Sequence, residues 1–417
     1  MRYESIQAKT LLSKPIYGDA WFHSNRSMNS YRGCEHGCVY CDGHCQYYRI
    51  DNFYTHIRIK ENAPKVLQRE LERARFQSQR KMQSDTLVRF LNEQDKSKVL
   101  DKGPRKIIIG VSGGVSDAYQ QAEVKYRITR QVLETLHDFR LPVFILTKSN
   151  LVLRDLDLLK EIHKQAFASV CFSITLHDEA TKSIFEPKSS TTWERFDALK
   201  QIRKAGLFGG VMAYPIIPTV GDSIDNMLGL ANEAKKAGAE FILFAGMTLK
   251  PGRQKDYFFN VVRRQVPQVY DDLQKIYANN HTYGHPIFNL LPVHPGLQGR
   301  IVCQKIGISD RSVRHMPPGE PEANVQVINR LLDLVYYRQI ILGKPRNMWK
   351  PYQDFAIKIE KGVEDLRNLS DQDLLEERLG ISSKMAQATK DILKHGTFKG
   401  LTRTQEELDT IGASLKK

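Results

Sequence analysis

The chain reads as an α/β protein, a parallel sheet wound by helices and followed by an α-helical C-terminal extension. Three observations carry that expectation. Apolar runs of strand length alternate with stretches of helical spacing from Lys106 to Ala245. Beyond Pro251 the alternation stops and helical patterns dominate. At 417 residues the chain is long enough for a barrel-sized core with appendages.

The first thirty residues carry little regular pattern and lead into a first strand near Met28 to Arg32, with a cysteine loop directly after it. Asn62 to Lys106 is helical and strongly basic, the pattern of a solvated helix face beside a surface insertion. Lys106 to Val111 (K-I-I-I-G-V) is a short apolar run passing into glycines, as a buried parallel strand does. A helix over Gln121 to Phe139 precedes the strand Pro142 to Thr147, and a helix from about Leu153 to Gln165 precedes the strand Ala168 to Thr175. The helix Trp193 to Ala205 is ended by Gly206, and the series closes with a strand at Phe208 to Tyr214, a helix at Ser223 to Ala237 and a strand at Glu240 to Ala245.

Further helices are expected around Val266 to Ala278 and Val325 to Leu342, flanking the Pro- and Gly-containing segment His285 to Pro321. From about Tyr352 to Lys417 the pattern is of short helices. Leu374 to Leu393 suggests a helix–turn–helix hairpin, either on a nucleic-acid backbone or as part of a small cap closing the barrel. The expected division is a lead-in over 1–28, a barrel over 29–250 carrying the basic insertion near 62–106, a helical and loop region over 251–350 completing the barrel, and a helical tail over 351–417. In a barrel of parallel strands, chemistry gathers at their C-terminal ends.

Composition narrows the function. Hydrophobic residues at 41% and charged residues at 26% are ordinary for a globular protein. No run of about eighteen apolar residues exists, and the N-terminus lacks a secretory signal, so a cytoplasmic protein with no membrane segment is expected. Lys and Arg number 62 against 47 Asp and Glu, a net charge of +15 that favours polyanionic partners such as RNA or DNA, or belongs to a generally basic soluble protein.

Four of six cysteines lie between Cys34 and Cys45, which suits metal ligation in a reducing compartment better than a disulfide framework. Cys34, Cys38 and Cys41 form a Cys-x3-Cys-x2-Cys run within Y-R-G-C-E-H-G-C-V-Y-C. Three thiolates given to an iron–sulfur cluster that takes four leave one iron open to an outside ligand. Gly33 and Gly37 relax the backbone where it passes the cluster. The rival is a closed zinc site, for which His36, His44 or Cys45 would supply a fourth ligand. Cys45 either joins Cys171 and Cys303 in a second cluster or binds none, and Cys171 sits in an apolar run where a buried inert thiol is usual.

The cysteine spacing resembles the signature of the radical S-adenosylmethionine (SAM) superfamily, and the resemblance extends from about Asn29 to Gly246. V-S-G-G-V-S-D-A-Y-Q-Q-A-E (Val111 to Glu123), L-T-K-S-N-L-V-L-R-D-L-D-L-L (Leu146 to Leu159), S-I-T-L with F-E-P (Ser173 to Pro187) and M-A-Y-P-I-I-P (Met212 to Pro218) are similar to the branch that holds spore photoproduct lyase and the DNA repair photolyase-like proteins. The resemblance implies a partial (β/α)6 barrel, a [4Fe-4S] cluster on Cys34, Cys38 and Cys41, and SAM at its open iron. Reductive cleavage of SAM to a 5′-deoxyadenosyl radical, hydrogen abstraction from substrate, and an electron donor such as flavodoxin or ferredoxin follow from it. Tyr40 stands where the superfamily has an aromatic near the adenine. Gly113 and Gly114 stand where backbone meets the methionyl part, Lys148 where a lysine meets the carboxylate, and Ser173 where a hydroxyl meets ribose or carboxylate. Asp117, Tyr119, Gln120 and Glu123 either orient cofactor or substrate or cap a helix.

Three departures matter. The lyase returns a hydrogen atom from a cysteine at the position of Gly114, and the insertion around Gln77 to Pro104 and the long C-terminal region also depart from it. A changed substrate is therefore expected. Three readings stand: a lyase-like radical SAM enzyme acting on nucleic acid, one acting on a protein or small molecule, and a zinc-stabilised nucleic-acid-binding module.

Overall fold

The computed structural model describes residues 1–79, 107–112, 115–369 and 371–414. Gly113, Gly114 and most of the basic insertion, with its expected departure around Gln77 to Pro104, lie outside the described residues apart from the helix Ala63–Arg73 and the few residues after it. Among the described residues nine strands fall into two sheets: β1 Arg2–Ile6, β2 Arg26–Met28, β3 Tyr31–Arg32, β4 His56–Lys60, β5 Ile109–Val111, β6 Val143–Thr147, β7 Ala168–Ser173, β8 Val211–Ile216 and β9 Ile242–Gly246. Six of them run β2-β5-β6-β7-β8-β9 with every neighbouring pair parallel. Helices lie between successive strands from β5 onward, giving the expected partial (β/α)6 barrel, open between β2 and β9.

The strands form because both faces of the sheet are buried, which suits short β-branched and aromatic runs. Ile109, Val111, Val143, Ile145, Val170 and Phe172 pack against the surrounding helices through Leu133, Leu159, Ile162 and Leu199. Alternate positions, Phe144, Cys171, Met212 and Leu243, point to the inner face. There they join Leu331, Leu332, Val335 and Tyr336 of the helix Glu322–Tyr336. The tail helices Lys350–Glu360, Gln372–Leu379, Ser383–His395 and Lys399–Ser414 add Phe355, Leu375, Ile392 and Leu408 to that same cluster. The C-terminal extension is thus part of the core that fills the barrel.

Several expectations needed correction. The first strand is two: β2 pairs with β5, whereas β3 pairs antiparallel with β4 in a small sheet that β1 completes. The helix expected over Gln121 to Phe139 breaks at Arg127, whose φ of +51° separates Ala122–Tyr126 from Ile128–Asp138. The helix expected at Val266 to Ala278 is Tyr270–Ile276, preceded by Arg253–Gln265. The Pro- and Gly-containing segment His285 to Pro321, where no helix was expected, contains the helix Pro295–Ile306, in which Gly299 lets the helix settle on β9, since a Cβ there would lie 2.6 Å from the Phe244 side chain. Ser309 then accepts from the Ile242 amide (3.0 Å) and bridges to Phe241, covering the open β9 edge.

Candidate active site

The cysteine run leaves β3 and is fixed as a loop by residues from distant elements. Gly33 has φ +86°, and a Cβ there would stand 2.8 Å from the Phe53 carbonyl oxygen and 3.0 Å from that of His56. The Cys34 amide donates to the Phe53 carbonyl (3.0 Å), the Val39 amide to Phe185 (2.8 Å) and the Cys41 amide to Cys38 (3.1 Å). The Tyr54 hydroxyl donates to the Cys38 carbonyl (2.7 Å) and the Gln254 side chain to that of Tyr40 (2.9 Å). These bonds give partners to backbone groups that the turn frees from regular structure.

Cys34, Cys38 and Cys41 line one cavity of about 620 Å³ at the C-terminal ends of the barrel strands, with Tyr40, Ser112, Asp117, Lys148 and Ser173. Burial pushes all three thiols up, Cys41 to about 11, and at Cys34 the Asp117 carboxylate and the other two thiols add to it. Without iron they hold their protons at neutral pH, and metal must displace them. The donor set fits a [4Fe-4S] cluster, because three thiols from one short loop share the lining of a single cavity with polar side chains.

The zinc reading finds no fourth ligand. His36 directs its two nitrogens to Asp117 Oδ2 and the Lys188 carbonyl, each at 3.3 Å. His44 sits among the rings of Phe53, Tyr54 and Tyr257. Cys45 is fully buried with its sulfur 3.9 Å from Gln46 Oε1. Among the described residues no three His, Cys, Asp or Glu side chains form a site for a single metal ion, and Cys45, Cys171 and Cys303 are not grouped.

Beside the cysteines, a buried polar cluster joins the ends of β6 and β7 to the loop. Glu186 is fully buried and pairs with the equally buried Arg195 (2.7 Å) and with Lys148 (3.5 Å). It also accepts from Thr175 (3.0 Å) and from the Tyr40 hydroxyl. Burial alone would raise its pKa, but Arg195 and Lys148 outweigh that and hold the carboxyl below its ordinary value. The Lys148 ammonium donates to Ser173 Oγ and lies 5.6 Å from the centre of the Tyr40 ring. Arg195 also donates to the Ser173 carbonyl (2.6 Å).

Tyr40, Lys148 and Ser173 are therefore brought together with the cysteines. Glu186 and Arg195 were missed as a pair, although the F-E-P motif pointed at the first. The remaining polar residues act as braces. Asp117 accepts from Thr147 Oγ1 (2.7 Å) and from the amides of Lys148 and Tyr119 (2.8 Å each), tying β5 to β6. Gln120 accepts from the Glu35 amide (2.9 Å) and donates to the Gly33 carbonyl (3.1 Å), which secures the cysteine loop. Glu123 pairs with Arg154 (2.6 Å) and accepts from Tyr31.

Comparison with known proteins gives the following. A family model described as the radical SAM superfamily matches residues 28–231. An uncharacterized protein of Mycobacterium tuberculosis is 27% identical over 280 residues, covering 66% of this chain and 73% of the relative. An uncharacterized protein of Methanocaldococcus jannaschii is 27% identical over 248 residues, covering 58% of this chain and 77% of the relative. Among solved structures, one spore photoproduct lyase variant aligns with TM-score 0.47 at 15% identity, over 73% of this chain and 79% of that one. Another, with AdoMet and dinucleoside spore photoproduct bound, aligns with TM-score 0.42 at 16% identity, over 63% of this chain and 66% of that one. The family match spans the stretch from β2 past β8 that supplies the three cysteines, Lys148 and Ser173, and residues 28–231 form a radical SAM superfamily region.

Proposed function

We propose that this radical SAM enzyme acts on a nucleic acid, with Cys34, Cys38 and Cys41 holding its cluster and with Lys148 and Ser173 receiving the SAM carboxylate. The observation that carries the residue roles is that all five line one cavity at the strand ends. When bound, the cluster and SAM supply, on one-electron reduction, a 5′-deoxyadenosyl radical that takes a hydrogen atom from the substrate. The chain's own residues prepare the place. Glu186 faces two cations, Lys148 and Arg195, so the cluster of charges keeps one positive charge in excess. A ligand carboxylate at Lys148 would complete the balance.

The Tyr40 ring is held through its hydroxyl by Glu186 and offers a fixed face beside the cysteines for the adenine. Phe22, Phe144, Leu146 and Met247 make the floor of the cavity apolar, which excludes water from a reactive radical. Gly113 and Gly114, directly after β5, are assigned the backbone contact with the methionyl part.

The nucleic-acid substrate is supported by the net charge of +15. That excess does not come from the C-terminal hairpin, because residues 361–417 hold ten Lys and Arg against ten Asp and Glu. A flavodoxin or ferredoxin in the cytoplasm would supply the electron. Among the described residues no helix is long and apolar enough to cross a membrane.

The test is anaerobic reconstitution with iron and sulfide, reduction with dithionite, and an assay for 5′-deoxyadenosine with added tRNA, DNA or nuclease-treated cell extract. The proposal expects nucleic acid to accelerate SAM cleavage. Acceleration by the nuclease-treated extract alone would move the substrate to proteins or small molecules.

A further inference from the structure

The cavity does not end at the SAM-side wall. It continues to Tyr214, Tyr283 and His285 and opens between side chains that lie well out in solvent. Tyr283 is 66% exposed and Ile16, on the cavity lining, 42%. From the mouth a string of rings follows the segment after the helix Tyr270–Ile276. His281 and His285 are 4.8 Å apart between ring centres, Tyr283 and His285 6.3 Å, His285 and Phe288 6.1 Å, and Phe288 and His294 6.3 Å. Phe288 is 57% exposed.

Aromatic rings left this exposed, in a row that begins inside a cavity, are costly for a soluble protein unless something flat covers them. Burial lowers the pKa of His285, with His281 adding to it, and lowers that of His294 to about 4, so both present neutral imidazole faces at pH 7. Neutral rings in series suit planar, uncharged ring systems arriving one after another.

We propose that Tyr283 and Phe288 form a stacking platform that receives unpaired bases of a single-stranded nucleic acid and leads one of them into the cavity. The occupant follows from two properties together. Every nucleobase has a π-face that an aromatic side chain accepts without regard to sequence. The net charge of +15 complements the phosphates that carry those bases, whereas an aromatic peptide would not need it. A duplex would keep its bases stacked on one another and leave the platform unused. The inference rests on the nucleic-acid reading above and narrows it to single strands or unpaired segments.

The experiment is fluorescence anisotropy with the full chain and a fluorescein-labelled oligouridine strand, beside a labelled duplex of equal length, across a salt series. The single strand is expected to bind more tightly than the duplex. Tyr283→Ala and Phe288→Ala should each weaken single-strand binding by about fivefold or more. Tyr283→Phe should restore it, and the salt dependence should be unchanged because no phosphate contact is lost. Unchanged thermal melting of the variants checks that they fold. Wild-type-like strand binding by both alanine variants would overturn the platform while leaving the nucleic-acid reading intact. No binding of either nucleic acid by the wild type would overturn both. Displacement of the strand by a tyrosine-rich peptide of higher affinity would assign the rim to a protein partner and overturn the platform as well.

Discussion

The inner wall of the cavity and its outer rim are built by opposite means. Asp117 lines the wall and Glu186, Arg195 and Gln120 are buried around it, and each is tied to a strand end or to the cysteine loop. On the rim, Tyr283 and Phe288 are exposed, and their neighbours are other rings. A wall that must hold a cluster and a cofactor carboxylate gains from groups fixed before anything binds, since their ordering is completed by folding. A rim that must accept a substrate gains from flat surfaces without directional demands. On the proposed function, the difference separates a generator built to one geometry from an entrance that tolerates variety.

The wall is where substitutions should act most strongly. Cys38→Ala is expected to abolish 5′-deoxyadenosine formation, because two sulfur donors do not hold the cluster; retention of wild-type cleavage would remove the cluster assignment. Next comes Glu186→Gln, which leaves the buried Arg195 without its carboxylate and should cost about 3–5 kcal/mol in urea unfolding at pH 7. The pH dependence has a definite sign. The folded pKa of Glu186 lies below its ordinary 4.5, so its ionised form stabilises the fold above that value and the contribution is lost as the pH falls further. The gap between wild type and Glu186→Gln should stay level from pH 7 to about 5 and close below that. A gap that closes near pH 7 would show that the carboxyl is not held ionised.

Lys148→Met should leave folding intact and weaken SAM binding by about tenfold or more, the size of a lost charge-assisted hydrogen bond. Calorimetric titration of the reconstituted protein reads it, and unchanged affinity would assign the carboxylate to another group. The smallest effect is expected of Tyr54→Phe, which removes the donor to the Cys38 carbonyl and should cost about 1 kcal/mol of stability. Thermal melting measures it. A loss as large as that of Glu186→Gln would mean that the loop depends on this one bond.

How legible all this was depended on distance along the chain. The barrel strands and their helices were readable because apolar runs and helical periodicity are local signals, and the cysteine spacing is more local still. The shared place of Tyr40, Lys148 and Ser173 beside the cysteines was readable because short motifs carry them. Pairing across long separations was not. The small sheet joins Arg2 to His56, and nothing in either segment names the other. The Glu186–Arg195 pair closes around the helix start at Thr191, where Arg195 reads as an ordinary helical charge until its burial is seen. The break at Arg127 escaped because the helical spacing continues on both sides of a single left-handed residue. The rim rings fell in a Pro- and Gly-containing segment that periodicity leaves blank.

The central claim is that three thiols from one loop leave an iron corner for SAM. Electron paramagnetic resonance of the reconstituted, dithionite-reduced protein, recorded with and without SAM, tests it most directly. The account predicts a reduced [4Fe-4S] signal that changes when SAM is added and is lost in Cys38→Ala. A colourless protein holding one zinc, or a cluster signal that SAM leaves untouched, would contradict it.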